Sequence, residues 1–138
     1  MTCLFCEIVA GRASAEIVWR NENALAFLDH RPLFPGHVLL IPIEHHTTLA
    51  DLPGKLVGPL FEAAQDLQRA VEAAMEAEGS FVAVNNRVSQ SVPHLHVHIV
   101  PRRKGDGLKG FFWPRRPYDS DAHLRETGDK IRGALHNK

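Results

Sequence analysis

Ten residues, Val92-Pro93-His94-Leu95-His96-Val97-His98-Ile99-Val100-Pro101, constrain the fold more than any other stretch of the chain. Histidines at 94, 96 and 98 alternate with Leu95, Val97 and Ile99. Period-two alternation predicts a β-strand with three imidazoles on one face and three apolar side chains turned into a core. Pro93 and Pro101 suit the two ends of such a strand, where no ladder N–H is needed. Alternate side chains on a strand stand about 6.6 Å apart, so the three rings can act on one ligand.

A chain of 138 residues supports one domain with a real core. Lys plus Arg and Asp plus Glu number 16 each, so no global field recruits nucleic acid or a membrane surface. There is no apolar run of membrane-spanning length and no leader with a charged and then an apolar region, which implies a cytoplasmic protein. The two cysteines, Cys3 and Cys6, are too few and too close for a disulfide framework.

Residues 3–10 read as one short helical turn ending at Gly11. Glu16–Arg20 and Ala24–Asp29 read as strands joined by the turn Asn21-Glu22-Asn23, a hairpin. His30–Gly36 is a loop broken by two prolines and a glycine, and His37–Ile43 is an apolar run suited to a buried central strand. From Pro59 the apolar residues Leu60, Ala64, Leu67, Val71 and Met75 recur at helical spacing, predicting a helix of about five turns with Pro59 in its first turn and Gly79 as its C-terminal stop. Phe81–Val84 is a fourth strand, residues 85–91 a polar loop, and residues 120–135 a weakly amphipathic helix. Hairpin-paired strands with one long helix packed on them give an α+β domain, an antiparallel sheet of about five strands plus a C-terminal helix.

Three chemistries fit the histidine row. It can be a solvated strand face. It can be a zinc site, with His-x-His supplying two ligands, although no other strand offers a closing carboxylate. Or it can be a nucleophilic site at phosphorus: imidazole is largely neutral at pH 7, attacks phosphorus to give a phosphoramidate, and a neighbouring histidine manages the leaving group.

The run His94-Leu95-His96-Val97-His98-Ile99-Val100 resembles the histidine triad (HIT) motif of nucleotide hydrolases and transferases. Gln90-Ser91-Val92 before it, Phe27-Leu28-Asp29, and Pro35-Gly36-His37-Val38-Leu39-Leu40-Ile41-Pro42 extend the likeness, which reaches from Cys3 to Trp113. The resemblance implies a single HIT domain over residues 1–138, with a basic and aromatic C-terminal extension from about 102. It implies a hydrolase that cleaves purine nucleotide conjugates at the α-phosphate, diadenosine polyphosphates or nucleoside phosphoramidates. His96 would be the nucleophile, His98 would bind the α-phosphate or bridging oxygen, and His94 would buttress the site. Asp29 would accept from the ribose hydroxyls, and His37 would lie against the purine site or orient the histidines. Gln90 and Ser91 would line the phosphate, with Asn85, or Asn86 instead, opening the phosphate loop. His rather than Gln at the third triad position points to hydrolysis, with no redox cofactor. One departure stands out: Arg87-Val88-Ser89 precedes Gln90 where the family usually has a glycine and a longer loop, and Arg87 offers a charge instead.

Cys3-x-x-Cys6 fits a redox pair, two buried thiols, or half of a tetrahedral zinc site, and no strand can precede it as the redox motif requires. Similarity to bacterial members that open with such a pair implies a structural zinc held by Cys3, Cys6, His45 and His94, with His46 competing for the third place. The basic aromatic segment around Phe111, Phe112 and Trp113 is either a solvated loop that completes a core or subunit contact, or a lip over the site. A homodimer is implied, with no nucleic acid or membrane partner.

Overall fold

A computed structural model describes residues 2–108 and 115–136. Residues 1–106 form one compact unit and residues 107–138 a second. The first unit contains α1 (Leu4–Val9), β1 (Ile17–Arg20), β2 (Ala24–Leu28), β3 (Val38–Pro42), a 3-10 turn (Leu49–Asp51), α2 (Gly54–Ala74), β4 (Gly79–Val84) and β5 (Val97–Arg102). The strands make one antiparallel sheet in the order β1-β2-β3-β5-β4. This is the α+β architecture expected from the hairpins and the single long helix.

Both faces of the sheet are covered, which is why β2 and β3 are apolar throughout. Ala24 and Ala26 of β2, Val38 and Leu40 of β3, and Leu95, Val97 and Ile99 pack against Leu60, Ala63, Ala64, Leu67 and Val71 of α2. The alternate residues Leu25, Phe27, Leu39 and Ile41 form a second core with Phe5 and Ile8 of α1. Period-two alternation thus sorts one strand pair into two cores.

Several boundaries differ from the sequence reading. The histidine strand begins at Val97, so His94 and His96 precede it. Its partners run out there: β3 pairs last at Leu40↔Val97 and β4 at Val84↔Val97. The His94 N–H turns back to the Val92 carbonyl, and the Leu95 N–H bonds the His46 carbonyl instead of a ladder partner. Pro101 lies inside β5, opposite Ser80, beyond the last β3 partner at Ile99, so its missing N–H costs the sheet no bond. The long helix starts at Gly54 and contains Pro59; Lys55, whose carbonyl Pro59 leaves without an intrahelical donor, is exposed. Its C-cap is Met75, followed by Glu76 at φ 50°, and Gly79 opens β4 rather than stopping the helix. β1 also carries a bulge between Ile17 and Trp19.

The second unit contains α3 (Asp121–His136), capped by Ser120 Oγ, which accepts the His123 N–H. Lys109, Phe111, Phe112 and Trp113 lie outside the described residues. Among the described residues no helix is long and apolar enough to cross a membrane.

Candidate active site and metal centre

The row of histidines divides between two environments. His94 is fully buried, and its Nε2–H donates to the carbonyl of Pro42 at the end of β3 (2.9 Å). Nδ1 is therefore the unprotonated nitrogen, and it faces Cys3 Sγ at 3.4 Å and Cys6 Sγ at 3.6 Å. Burial pushes the His94 imidazole down to about 4, which keeps this lone pair free at neutral pH. α1 supplies the two sulfurs by its own capping geometry: Cys3 is the N-cap, its Sγ accepting the Cys6 N–H, so the side chains sit one turn apart on the same side. His45 Nδ1 completes the group, 3.4 Å from Cys6 Sγ.

The four ligand atoms of Cys3, Cys6, His45 and His94 lie within 4.8 Å of one another. A tetrahedral zinc with usual Zn–S and Zn–N bond lengths separates sulfur from nitrogen ligands by about 3.6 Å, close to the spacings here. The His94 Nε2–H···O=C bond is also the outer contact that orients a metal-bound imidazole. The donor set therefore fits zinc. His46, the competing ligand, instead pairs through Nε2 with Glu44 Oε2 (3.1 Å) and gives its carbonyl to Leu95.

His96 and His98 turn the other way, their ring centroids 4.9 Å apart. His96 Nδ1–H donates to the His94 carbonyl at 2.7 Å, so the neutral ring carries its lone pair on Nε2, which is the form a nucleophile needs. The Phe5 ring meets His96 edge-on at 5.1 Å and 88°. His98 Nδ1 lies 3.0 Å from His37 Nε2, and His37 Nδ1 accepts the Leu33 N–H at 3.1 Å. Burial holds the His37 imidazole below its ordinary range, and burial with the adjacent His96 and His37 holds His98 down to about 4. His98 Nε2 is buried without a hydrogen-bond partner among the described residues.

Both rings open on a cavity of about 760 Å³. Leu4, Phe5, Ile8, Phe27, Leu39 and Val92 form its apolar wall; Ser91, Asp29, His30, Glu16 and Ser14 are polar around it. An apolar slot beside a nucleophile and a few placed polar groups suits a flat aromatic base joined to a polar, charged centre. Asp29 Oδ1 accepts the Arg31 N–H (2.9 Å), and Oδ2 is 3.8 Å from His37 Nδ1.

Of the residues singled out in the sequence, His96, His98, Asp29 and Ser91 line this cavity, with His37 directly behind His98. Asn85 and Gln90 do not line it. The Gln90 amide is occupied in its own loop: Nε2–H donates to the Thr47 carbonyl (2.6 Å) and Oε1 accepts the Arg87 N–H (2.9 Å). Asn86 accepts the Leu49 N–H, so residues 86–90 are pinned to residues 47–49. Arg87 (φ 71°) and Ser89 (φ 61°) adopt left-handed backbone where the sequence has no glycine. Three contributors were not apparent from sequence: Phe5, the Leu33 amide and the Thr47 carbonyl. Of these, only Phe5 had a signal, as an apolar residue between two metal-type cysteines.

A family model described as HIT domain matches residues 10–105. An uncharacterized HIT-like protein of Mycobacterium tuberculosis is 36% identical over 140 residues, covering 98% of this chain and 94% of that protein. An adenosine 5'-monophosphoramidase of Schizosaccharomyces pombe is 32% identical, covering 95% and 96%. An asymmetrical bis(5'-nucleosyl)-tetraphosphatase of the same yeast is 35% identical, covering 67% of this chain and 52% of that protein. Among solved structures, a HIT family member from Bacillus subtilis superposes with TM-score 0.87 at 34% identity, covering 96% of each chain. A Zn-bound histidine triad family protein from Mycobacterium smegmatis gives TM-score 0.74 at 36% identity, covering 97% and 98%.

Proposed function

The chain belongs to the HIT family, and on that premise we propose that it hydrolyses purine nucleotide conjugates at the α-phosphate through a covalent nucleotidyl-His96. The observation that carries this reading is the 2.7 Å bond from His96 Nδ1–H to the His94 carbonyl. It places the neutral ring's lone pair on Nε2, and the ring lines a cavity that apolar Phe5, Ile8 and Phe27 share with Ser91, Asp29 and His98. In this reading the base occupies the slot against Phe5, Ile8 and Phe27, and Asp29 Oδ2 accepts from the ribose. Ser91 hydrogen-bonds the phosphate. His98 contacts the bridging oxygen, and Gln90 acts by holding its loop to Thr47. Asn85 belongs to the same loop and serves the phosphate through it.

Attack by His96 Nε2 on phosphorus expels the leaving group. Water then displaces the imidazole and releases the nucleoside monophosphate. The imidazolium-like intermediate keeps its Nδ1–H on the His94 carbonyl, which stabilises the positive charge. Cys3, Cys6, His45 and His94 hold a structural zinc in the same reading, supported by the zinc-bound relative and by the donor spacing. A zinc held there would tie α1 to the segment before β5 that carries His94 and His96, and no redox cofactor takes part. A single HIT domain, a homodimeric working unit and a cytoplasmic location complete the proposal, with no nucleic acid or membrane partner.

The test is release of AMP from diadenosine tetraphosphate and from an adenosine phosphoramidate by the wild-type protein and by His96→Asn. Turnover in the wild type with a stable, zinc-loaded but inactive variant supports the reading. Equal turnover by both proteins refutes it. A nucleotide-binding protein with little turnover is the second reading, favoured by the Gln90 side chain being engaged within its own loop. Tight AMP binding with no AMP release from either conjugate would select it.

A further inference from the structure

Helix α1 serves two sites at once. Cys3 and Cys6 put their sulfurs into the metal cluster, while Leu4, Phe5 and Ile8 line the cavity that holds His96 and His98. The other two ligands of the cluster come from elsewhere: His45 follows β3, and His94 lies three residues before β5. Phe5 meets Phe27 edge-on at 5.3 Å and His96 at 5.1 Å, so its ring is part of the apolar slot. A helix of six residues does not persist unsupported. Outside the cluster, its ties to the sheet among the described residues are its apolar packing and one hydrogen bond, from Arg20 Nη1 to the Val9 carbonyl at 3.4 Å. The contacts that seat α1 are therefore the contacts that build the slot. The opposite side of the cavity is carried otherwise. Asp29, Ser91, His96 and His98 lie outside α1, and the His94 Nε2–H bond to the Pro42 carbonyl holds the segment behind His96 without drawing on that helix.

Resting on the nucleotide reading of that cavity, we propose that the metal centre and the base slot are coupled through α1: zinc on Cys3, Cys6, His45 and His94 raises the affinity for the nucleotide base, and a bound base raises the affinity for zinc by the same factor. Zinc then regulates how much of the protein can hold a nucleotide, beyond any stability it adds to the fold. With α1 open, the slot loses Leu4, Phe5 and Ile8, and the apparent Kd for a nucleotide rises by the inverse of the fraction of molecules with α1 closed. A zinc ion bridging α1 to His45 and His94 raises that fraction. A base packed against Phe5, Ile8 and Phe27 raises it from the cavity side and so keeps the two sulfurs facing the two imidazoles. Reciprocity follows from thermodynamic linkage, and couplings of this kind amount to about 5–150-fold. The effect is specific to the base, because Asp29, Ser91, His96 and His98 do not depend on α1 for their place in the chain. It needs no contact between metal and nucleotide.

The test is a pair of binding titrations on the full chain, at a fixed pH and well below the melting temperature. In the first, AMP and ribose 5-phosphate are each titrated into zinc-loaded protein, into protein stripped by a chelator, and into stripped protein with zinc restored. AMP binding is expected to weaken about tenfold or more on stripping and to recover with zinc, while ribose 5-phosphate, which lacks the base, changes by less than about threefold. In the second, zinc is competed against a chromophoric chelator with and without saturating AMP or ribose 5-phosphate. AMP should tighten zinc by the factor by which zinc tightens AMP, and ribose 5-phosphate should leave zinc affinity nearly unchanged. If the stripped chain unfolds, the second titration alone decides, since a link through global folding would let both ligands tighten zinc. The proposal is overturned by equal AMP affinity with and without zinc, or by AMP and ribose 5-phosphate responding alike. If the zinc-loaded protein binds neither ligand, the nucleotide reading of the cavity falls. Amide exchange over residues 4–8 with and without zinc then still decides whether the metal seats the wall, and exchange that ignores zinc overturns the coupling as well.

Discussion

Replacing Cys6 by serine removes the sulfur shared by two contacts of the metal cluster, to His45 Nδ1 at 3.4 Å and His94 Nδ1 at 3.6 Å. The consequence follows from what α1 buries. Phe5 and Ile8, 4% and 5% exposed, are its contribution to the second core, packed on Leu25, Phe27, Leu39 and Ile41. Fully burying two such side chains contributes about 3–6 kcal/mol. The helix holding them has only six residues, too short to be stable on its own. On the proposal that zinc clamps α1 there, its loss detaches the helix at a cost set by that burial. At about 3 °C per kcal/mol for a chain of this size, a melting-point fall of about 10–20 °C is expected. Metal content by mass spectrometry, thermal melting, and amide exchange over residues 2–10 provide the readouts. The variant should hold less than stoichiometric zinc, melt earlier, and exchange first in α1. Wild type stripped by a chelator should behave the same way. A full equivalent of zinc in Cys6→Ser refutes the ligand assignment, and an unchanged melting point after stripping refutes the clamp.

Three further outcomes are expected. Gly36→Ala introduces a Cβ 2.6 Å from Met75 Cγ at a residue with φ +97°, so it should destabilise by about 1–3 kcal/mol, read as a lower urea midpoint; an unchanged midpoint contradicts the packing of β3 on the end of α2. His94 and His98 are held down to about 4 from an ordinary value of 6.5. Between those values the unfolded chain binds more protons than the folded one, so stability is full above about pH 6.5 and declines as pH falls toward 4. Urea midpoints at several pH values measure this, and a midpoint that rises on acidification contradicts it. Asp29→Asn removes a charged acceptor facing the cavity and should weaken AMP binding about tenfold or more while leaving 2',3'-dideoxy-AMP unaffected; equal losses for both ligands contradict ribose recognition by Asp29.

The sheet was legible because its strands obey period two in both cores. Leu25 and Phe27 alternate with Ala24 and Ala26, and the helical stripe Leu60, Ala64, Leu67, Val71 names the element that covers one face. The start of β5 was not legible, since the alternation continues back to His94 while the ladder partners, supplied by β3 and β4, end at Val97. Pro59 misled for a related reason: an interior proline is tolerated when the residue losing its donor, here Lys55, is exposed. At the site, the spacing put all three histidines on one face, whereas His94 faces the cysteines and only His96 and His98 line the cavity. Their ring protons depend on two groups no side-chain motif reveals, the His94 carbonyl and the Leu33 amide. Gln90 showed the opposite limit. Its position before Ser91 matched a phosphate contact, yet its amide is taken up by Thr47 and Arg87, a pairing set by how the 47–51 segment meets the 86–90 loop.

Hydrolysis through a nucleotidyl intermediate requires a covalent bond between His96 Nε2 and phosphorus. Acid-quenching the wild-type protein within one turnover of diadenosine tetraphosphate, followed by peptide mass spectrometry, tests it directly. The expected result is an adenylyl adduct on the peptide containing residues 94–98, fragmenting to His96 and absent from His96→Asn. AMP production with His96 unmodified throughout the reaction would contradict it.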